Sequence, residues 1–541
     1  MFISSCGTNS DKADIIFTNG TIYTVDKDFS KASVIAVQKD KILYAGNDLA
    51  FAQKLQTAKT QLIDLEGRPV IPGIIESHLH FYDLGVSLSE IDIYEKPKAE
   101  ILQLVAEEVK KLQPGEWIVS SGWSHEVWPD AKWPTKEELD AVSPDNPVCL
   151  TRKDGHSVWV NSKALEIAGI TSDTPDPQGG EIIKTASGQP TGVLVDTAMD
   201  GLFSHIPAPS AEQRLAFYQR ADREVLSYGI TSLMDAGVSY RDIQILKDAY
   251  SKGLLQVRAY ELLNEGEDIP YVSEGNRPER DLYGGKLSVN GVKLYTDGSL
   301  GSRSAWFLEA FNDRPGHFGN PRYSDEEFYE IVKRIRSHGF QIATHAIGDA
   351  AIRQTIDIYE KVLKEQPLTD HRYRIEHFQH VHPDDFARLV KDSIIASMQT
   401  VHATSDMPFA EARVGPSRVL GAYAWRTVLD HGGIIANGSD APVEYVNPYH
   451  GFYAAVTRQN LHGEPQGGWY PQLCMTREEA LKSFTIWGAY AMFGEKEKGS
   501  IEAGKYADFV VLDRDIMTCS LDDLKDTKAL MTVLGGKIVD K

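Results

Sequence analysis

Apolar and polar residues alternate at the two ends of this chain, whereas its middle carries short unbroken apolar runs. Near the start, "ADIIFTNGTIYTVD" and "ASVIAVQKDKILYAG" put apolar residues at every second position, the spacing of half-buried strands. Asn19-Gly20 and Lys39-Asp40 sit at the centres of these stretches and predict two-residue hairpin turns. "GSIEAGKYADFVVLDRD" and "LMTVLGGKIVD" repeat the pattern near the other end, with Gly535-Gly536 at a turn. A lone hairpin leaves an apolar face in water. The two ends are therefore expected to share one small β-sandwich, residues 13–70 with 495–541, behind a tether or signal remnant at 1–12.

Between them, over 71–494, eight apolar segments predict parallel strands, most followed by a helical pattern such as "DEEFYEIVKRIRSHG". They are "PVIPGIIESHLH", "GITSLMDAG", "QVRAYELL", "LSVNGVKLYTDG", "QIATHAIG", "YRIEHFQHV", "IIASMQTVH" and "GGIIANGSD". Buried strands that end in polar residues and alternate with amphipathic helices predict an α/β fold, a (β/α)8 barrel whose site lies at the strand C-terminal ends. The gap between the first and second strands is too long for a loop. It reads as an α+β subdomain, 83–215, inserted after barrel strand 1 and expected to roof the site.

Composition narrows the partners. At 541 residues the chain exceeds one small core, and no run of about 20 apolar residues predicts a membrane span. A formal net charge of −21 argues against nucleic acid or anionic lipid and leaves a small molecule as the expected partner. The four cysteines are far apart and without CxxC, so they predict neither a zinc knuckle nor a disulfide framework. "FISSCGTNSDKAD" is similar to the end of a lipoprotein signal, but no basic and apolar stretch precedes it. As written the chain reads as cytoplasmic; a start further upstream would make Cys6 the anchor of a periplasmic lipoprotein.

The polar strand ends carry the chemistry. His78 and His80 are two residues apart on a strand and so share a face. His345, His377 and Asp440 end later strands, a donor set suited to zinc or a similar divalent cation. Lys293 points into the same barrel, where an isolated ammonium is costly. It is satisfied either by an ion pair with a neighbour such as Asp297, or by capture of carbon dioxide to give an anionic carbamate that bridges two metals. The surrounding histidines and Asp440 favour the carbamate. Among lesser candidates, His156 in "KDGHS" either polarises a substrate carbonyl or is structural. Asp297 and Arg303 flank the turn "DGSLGS" and either meet the substrate or form a plain salt bridge. Trp123, with Trp128, Trp133 and Trp159, belongs either to the insert's core or to a pocket wall. His380, His382 and His402 are expected to stay outside the ligand set.

PGxxxxHxH on the first strand, lysine on the fourth, histidines on the fifth and sixth, and aspartate on the eighth resemble the amidohydrolase superfamily in its two-metal form. "VKLYTDGSLGSRSA", "THAIGDAA", "RIEHFQHV" and "GSDAPV" are more narrowly similar to amidohydrolase family three, the branch that includes N-substituted formamide deformylase. Glu76 departs from the aspartate more common there. The resemblance implies two zinc ions, one on His78, His80 and Asp440 and one on His345 and His377, bridged by carboxylated Lys293. It also implies a metal-bridging hydroxide that hydrolyses a non-peptide C–N bond of an amide, formamide or cyclic amide. Asp440 would shuttle the proton, and the enzyme would be a homodimer. The alternatives are a mononuclear deaminase on the same barrel, which would need a glutamate that "HAIGD" lacks, and a non-catalytic metal-containing binding protein.

Overall fold

The computed structural model describes residues 12–540 apart from 95, 126–127, 153–156, 178–179, 267–271 and 273–274. Cys6 and the expected tether lie outside the described residues. The chain divides into two compact units, one formed by its two ends up to Leu84 and from Ala221, the other by Gly85–Arg220.

In the first unit eight parallel strands are hydrogen-bonded side by side in chain order: Ile74–Leu79, Ile230–Val238, Arg258–Asn264, Leu287–Tyr295, Gln341–Ala346, Arg374–His377, Ile395–Met398 and Ile435–Asn437. Each falls in one of the eight segments expected from the pattern. The first strand is buried at all six positions, which is why it shows no alternation. Strands 8 and 1 meet beyond their ends, where the Asp440 N–H donates to the His78 carbonyl at 2.7 Å and the His80 N–H to that of Ala441 at 2.8 Å. The barrel is thus closed at the place where three polar side chains emerge. The helix Asp325–His338 illustrates the outer layer. Ser324 and Glu327 form a capping box, Phe328, Val332 and Ile335 fall on one buried stripe, and Gly339 at φ 86° ends it.

The run "PVIPGIIESHLH" serves two structures. Pro69–Pro72 pairs with Phe509–Leu512 from the far end of the chain, and the barrel strand starts at Ile74. Gly73 lies between them, where a Cβ would come within 2.1 Å of Thr231 Oγ1. Pro69–Pro72 belongs to a six-stranded sheet that faces a four-stranded one across a core of Phe17, Ile22, Ile35, Val70, Phe509 and Val533. Lys39-Asp40 and Gly535-Gly536 are two-residue turns, flanked by the pairs Gln38–Lys41 and Leu534–Lys537. Asn19-Gly20 is not a hairpin. Ile15–Thr18 and Thr21–Tyr23 lie in different sheets, and the turn carries the chain across the edge of the core. This crossing lets Phe17 and Ile22 enter one core from opposite sides. Local turn chemistry yields here to burial.

The second unit holds a five-stranded sheet ordered Gly180–Lys184, Pro190–Asp196, Ser157–Val160, Val148–Arg152, Ile118–Trp123. Trp123, Trp128 and Trp159 pack with Ile101 and Val105 of the helix Lys98–Val109. No helix among the described residues is long and apolar enough to cross a membrane.

Phe17 and Phe509 meet edge to face at 5.0 Å and join the two ends of the chain. Phe509→Ala is expected to cost about 3–5 kcal/mol, measured as a lowered urea midpoint by fluorescence. A midpoint shift no larger than that of an exposed Leu521→Ala control would show that the shared core adds little.

Candidate metal centre

At the C-terminal end of the barrel, six side chains converge on a cavity of about 470 Å³: His80, Lys293, His345, His377, His402 and Asp440. His78 lies beneath, fully buried. One carboxylate oxygen of Asp440 is 3.3 Å from Nε2 of both His78 and His80. The His345 and His377 rings are 4.5 Å apart between centroids, and those of His78 and His377 are 4.8 Å apart. His377 and Asp440 have φ values of 72° and 61°. Such left-handed backbone costs non-glycine residues about 1–3 kcal/mol, and here it turns two strand ends inward.

What lies behind each ring decides which nitrogen faces the cavity. Nδ1 of His78 donates to Glu376 at 2.5 Å. Arg374 grips the same carboxylate through Nε at 2.6 Å and Nη2 at 2.8 Å, and also donates to the Ser77 carbonyl and Ser397 Oγ. Nδ1 of His377 donates to Gln399 Oε1 at 2.8 Å. His345 donates through Nε2 to the Gly298 carbonyl at 3.4 Å, with Asp297 at 3.5 Å. An acceptor fixes a proton on one ring nitrogen and leaves a lone pair on the other, the arrangement of a metal-ligating imidazole.

The electrostatics agree. Burial, with the charge of Lys293 beside it, pushes His345 down to about 3. Burial and neighbouring His345 hold His377 well below the ordinary imidazole range. Both rings are therefore neutral donors. Burial would raise Asp440, but the His78 and His80 rings, each with Nε2 at 3.3 Å, outweigh it and keep the carboxyl well below its usual range. His78 Nε2 and Asp440 Oδ1 are buried without a hydrogen-bond partner among the described residues. An unsatisfied His78 nitrogen and carboxylate oxygen, with the neutral His345 and His377 rings close by, fit a borderline divalent cation such as zinc. Two triads bring their ligand atoms within 4.8 Å of one another, His78–His80–Asp440 and His377–His402–Asp440.

Lys293 is 1% exposed, and its Nζ lies 4.6 Å from the Tyr295 ring centroid. Burial draws its ammonium below the ordinary range, against the pull of Glu376 and Asp440. The sequence offered Asp297 as its ion-pair partner. Asp297 instead accepts from the N–H groups of Trp306, Ile347 and Gly348 at 2.8–3.0 Å. Among the described residues no ion pair is formed by Lys293.

The remaining candidates divide. Arg303, expected either to meet the substrate or to form a plain salt bridge, pairs with Asp313 at 2.9 Å, and neither it nor Asp297 lines the cavity. Trp123 is fully buried, its indole donating to the Leu150 carbonyl at 2.7 Å, a core position in the insert rather than a pocket wall. His156 lies outside the described residues. Glu76 accepts from the N–H groups of His78 and Ser439 at 3.0 and 2.9 Å, tying strand 1 to strand 8. Burial pushes its carboxyl up to about 8. Sequence reasoning missed Arg374, Glu376 and Gln399 and set His402 aside. "RIEH" held the signal, opposite charges two residues apart between the apolar runs of a barrel.

Residues 61–540 match the amidohydrolase family. The chain belongs to that family. As an amidohydrolase it is 33% identical over 551 residues to Protein LONG AFTER FAR-RED 3 of Arabidopsis thaliana, covering 97% of this chain and 91% of that one. It is 27% identical to N-substituted formamide deformylase of Arthrobacter pascens, over 97% of both chains. An uncharacterized metal-dependent hydrolase from Pyrococcus furiosus superposes with a TM-score of 0.77 at 27% identity, covering 93% of this chain and all of that structure. The (β/α)8 metallohydrolase barrel is thus shared, and the amidohydrolase is a metal-dependent hydrolase.

Gln399→Met keeps the volume behind His377 but removes the acceptor. Metal affinity is expected to fall about 10–100-fold, measured by chelator competition. An affinity equal to wild type would show that this contact does not hold the ring.

Proposed function

We propose that this amidohydrolase hydrolyses a non-peptide carbon–nitrogen bond of a small molecule, in an amide, formamide or cyclic amide. One observation carries the reading: partnerless lone pairs on His78 and Asp440, buried beside His80, His345 and His377 at the end of a barrel. The likeness to N-substituted formamide deformylase supports a C–N bond as the target.

In this reading His78, His80 and Asp440 would hold one divalent ion and His345 and His377 a second, with a carbamate on Lys293 as a further ligand. Such a pair of ions, zinc being the expected species, polarises a carbonyl and acidifies water. The surroundings of Lys293 support its modification, because a buried ammonium without a paired carboxylate is strongly disfavoured. When the neutral amine adds carbon dioxide, an N–C bond forms, one proton leaves and the group becomes an anion. Asp440 begins ionised. It takes a proton from the attacking water and delivers it to the leaving nitrogen as the C–N bond breaks. The water oxygen remains on the carbonyl carbon, and the products are a carboxylic acid and an amine.

Zinc-loaded protein is expected to turn over members of a panel of N-formyl, N-acyl and cyclic amides, and complete inactivity on all of them would sink the reading. Asp440→Asn should keep the fold by circular dichroism while kcat falls about 10²–10⁴-fold; an unchanged rate removes Asp440 from proton transfer. Lys293→Ala should lose bound metal and regain part of it with short carboxylic acids. Full metal content and activity without such acids would defeat the carbamate.

A further inference from the structure

His402 differs from the other cavity histidines in what lies behind its ring. It sits in the first turn of the helix Thr400–Arg418, directly after barrel strand 7, and is 8% exposed. Its ring lies nearly parallel to that of His377, centroids 5.9 Å apart, and its Nε2 is 3.7 Å from Asp440 Oδ2. Proximity alone would make it a further metal ligand.

The hydrogen bond at its other nitrogen argues against this. Nδ1 of His402 is 3.2 Å from Nε2 of Gln379, and an amide nitrogen can only donate. Nδ1 is therefore the acceptor, and the ring proton sits on Nε2, which then has no lone pair for a cation. The carboxylate, amide oxygen and carbonyl behind His78, His377 and His345 impose the opposite arrangement. His402 Nε2 is buried, and the described residues give it no hydrogen-bond partner. Gln379 Oε1 is likewise buried and unpartnered, and Gln379 lines the same cavity. Two cavity-lining side chains in contact with each other thus carry one unsatisfied donor and one unsatisfied acceptor. A buried polar group left unpaired is costly, so the pair favours a ligand with the reverse order, a carbonyl oxygen next to an N–H.

We propose that His402 and Gln379 recognise the amide group itself: His402 donates through Nε2 to the carbonyl oxygen, and Gln379 Oε1 accepts from the substrate N–H. The hydrogen bond to oxygen strengthens as that oxygen gains negative charge, which makes His402 a catalytic residue and not a metal ligand. No proton changes hands in this contact. The substrate class narrows to amides that keep an N–H, so primary and N-monosubstituted amides are accepted and N,N-disubstituted ones are disfavoured. This inference rests on the hydrolytic reading above.

The test uses full-length zinc-loaded protein. His402→Ala is expected to keep the wild-type metal stoichiometry while kcat on formamides falls about 10²–10³-fold. His402→Gln preserves bulk and supplies an N–H, and should recover part of the rate. Loss of a metal equivalent in either variant, or an unchanged kcat in His402→Ala, overturns the assignment. The wild type should favour N-monosubstituted over N,N-disubstituted formamides by about tenfold or more in kcat/KM, a margin of one hydrogen bond. Gln379→Met should abolish that preference, and equal use of both substrates by the wild type would overturn the acceptor role. If the wild type hydrolyses no C–N substrate, the hydrolytic reading fails first. The metal stoichiometry of His402→Ala then decides the tautomer alone.

Discussion

The candidate metal centre depends on an ion pair that water does not reach. Arg374 and Glu376 are both fully buried inside the barrel, two residues apart on one strand. Either charge alone would be prohibitive there, and together they remain acceptable only because further hydrogen bonds complete them. Arg374 finds the Ser77 carbonyl and Ser397 Oγ, and Glu376 finds His78. Strand 6 is thereby fastened to strands 1 and 7, and the proton on His78 is fixed to the outer nitrogen. The charges set the ligand's tautomer and the barrel's register at once.

A second constraint acts where the barrel closes. Strands 8 and 1 are not joined by a ladder, and Glu76 spans them by accepting from the N–H groups of His78 and Ser439. A Cβ on Gly438 would lie 2.4 Å from Glu76 Oε1 and 2.6 Å from the His78 backbone nitrogen, so the close approach of the two strands requires glycine there. The departure from aspartate noticed in the sequence is thus a matter of closure, and it leaves Asp440 between His78 and His80.

Much of this was legible in the chain. The eight barrel strands announce themselves as short, largely apolar runs, and the candidate ligands stand out as the polar residues that end them. Other features were hidden for physical reasons. Asn19-Gly20 has the chemistry of a hairpin, and only the position of Leu65 and the shared core reveals a crossing between sheets. Trp123 could equally have lined a pocket, since an indole suits both roles; the Leu150 carbonyl decides it. Asp297 and Lys293 are close in sequence, yet three backbone N–H groups claim the carboxylate. The roles of His377 and His402 depend on Gln399 and Gln379, and no spacing rule says which end of an amide meets a ring.

Gly73 has a reach beyond its own position. It joins a strand zipped to Phe509–Leu512 directly to the strand that bears His78, with no other residue between Pro72 and Ile74. A segment far later in the chain therefore clamps the stretch that leads into His78 and His80. Loss of the Phe509–Leu512 pairing would be felt at the strand bearing His78, although that strand also keeps its ladder to Ile230–Val238.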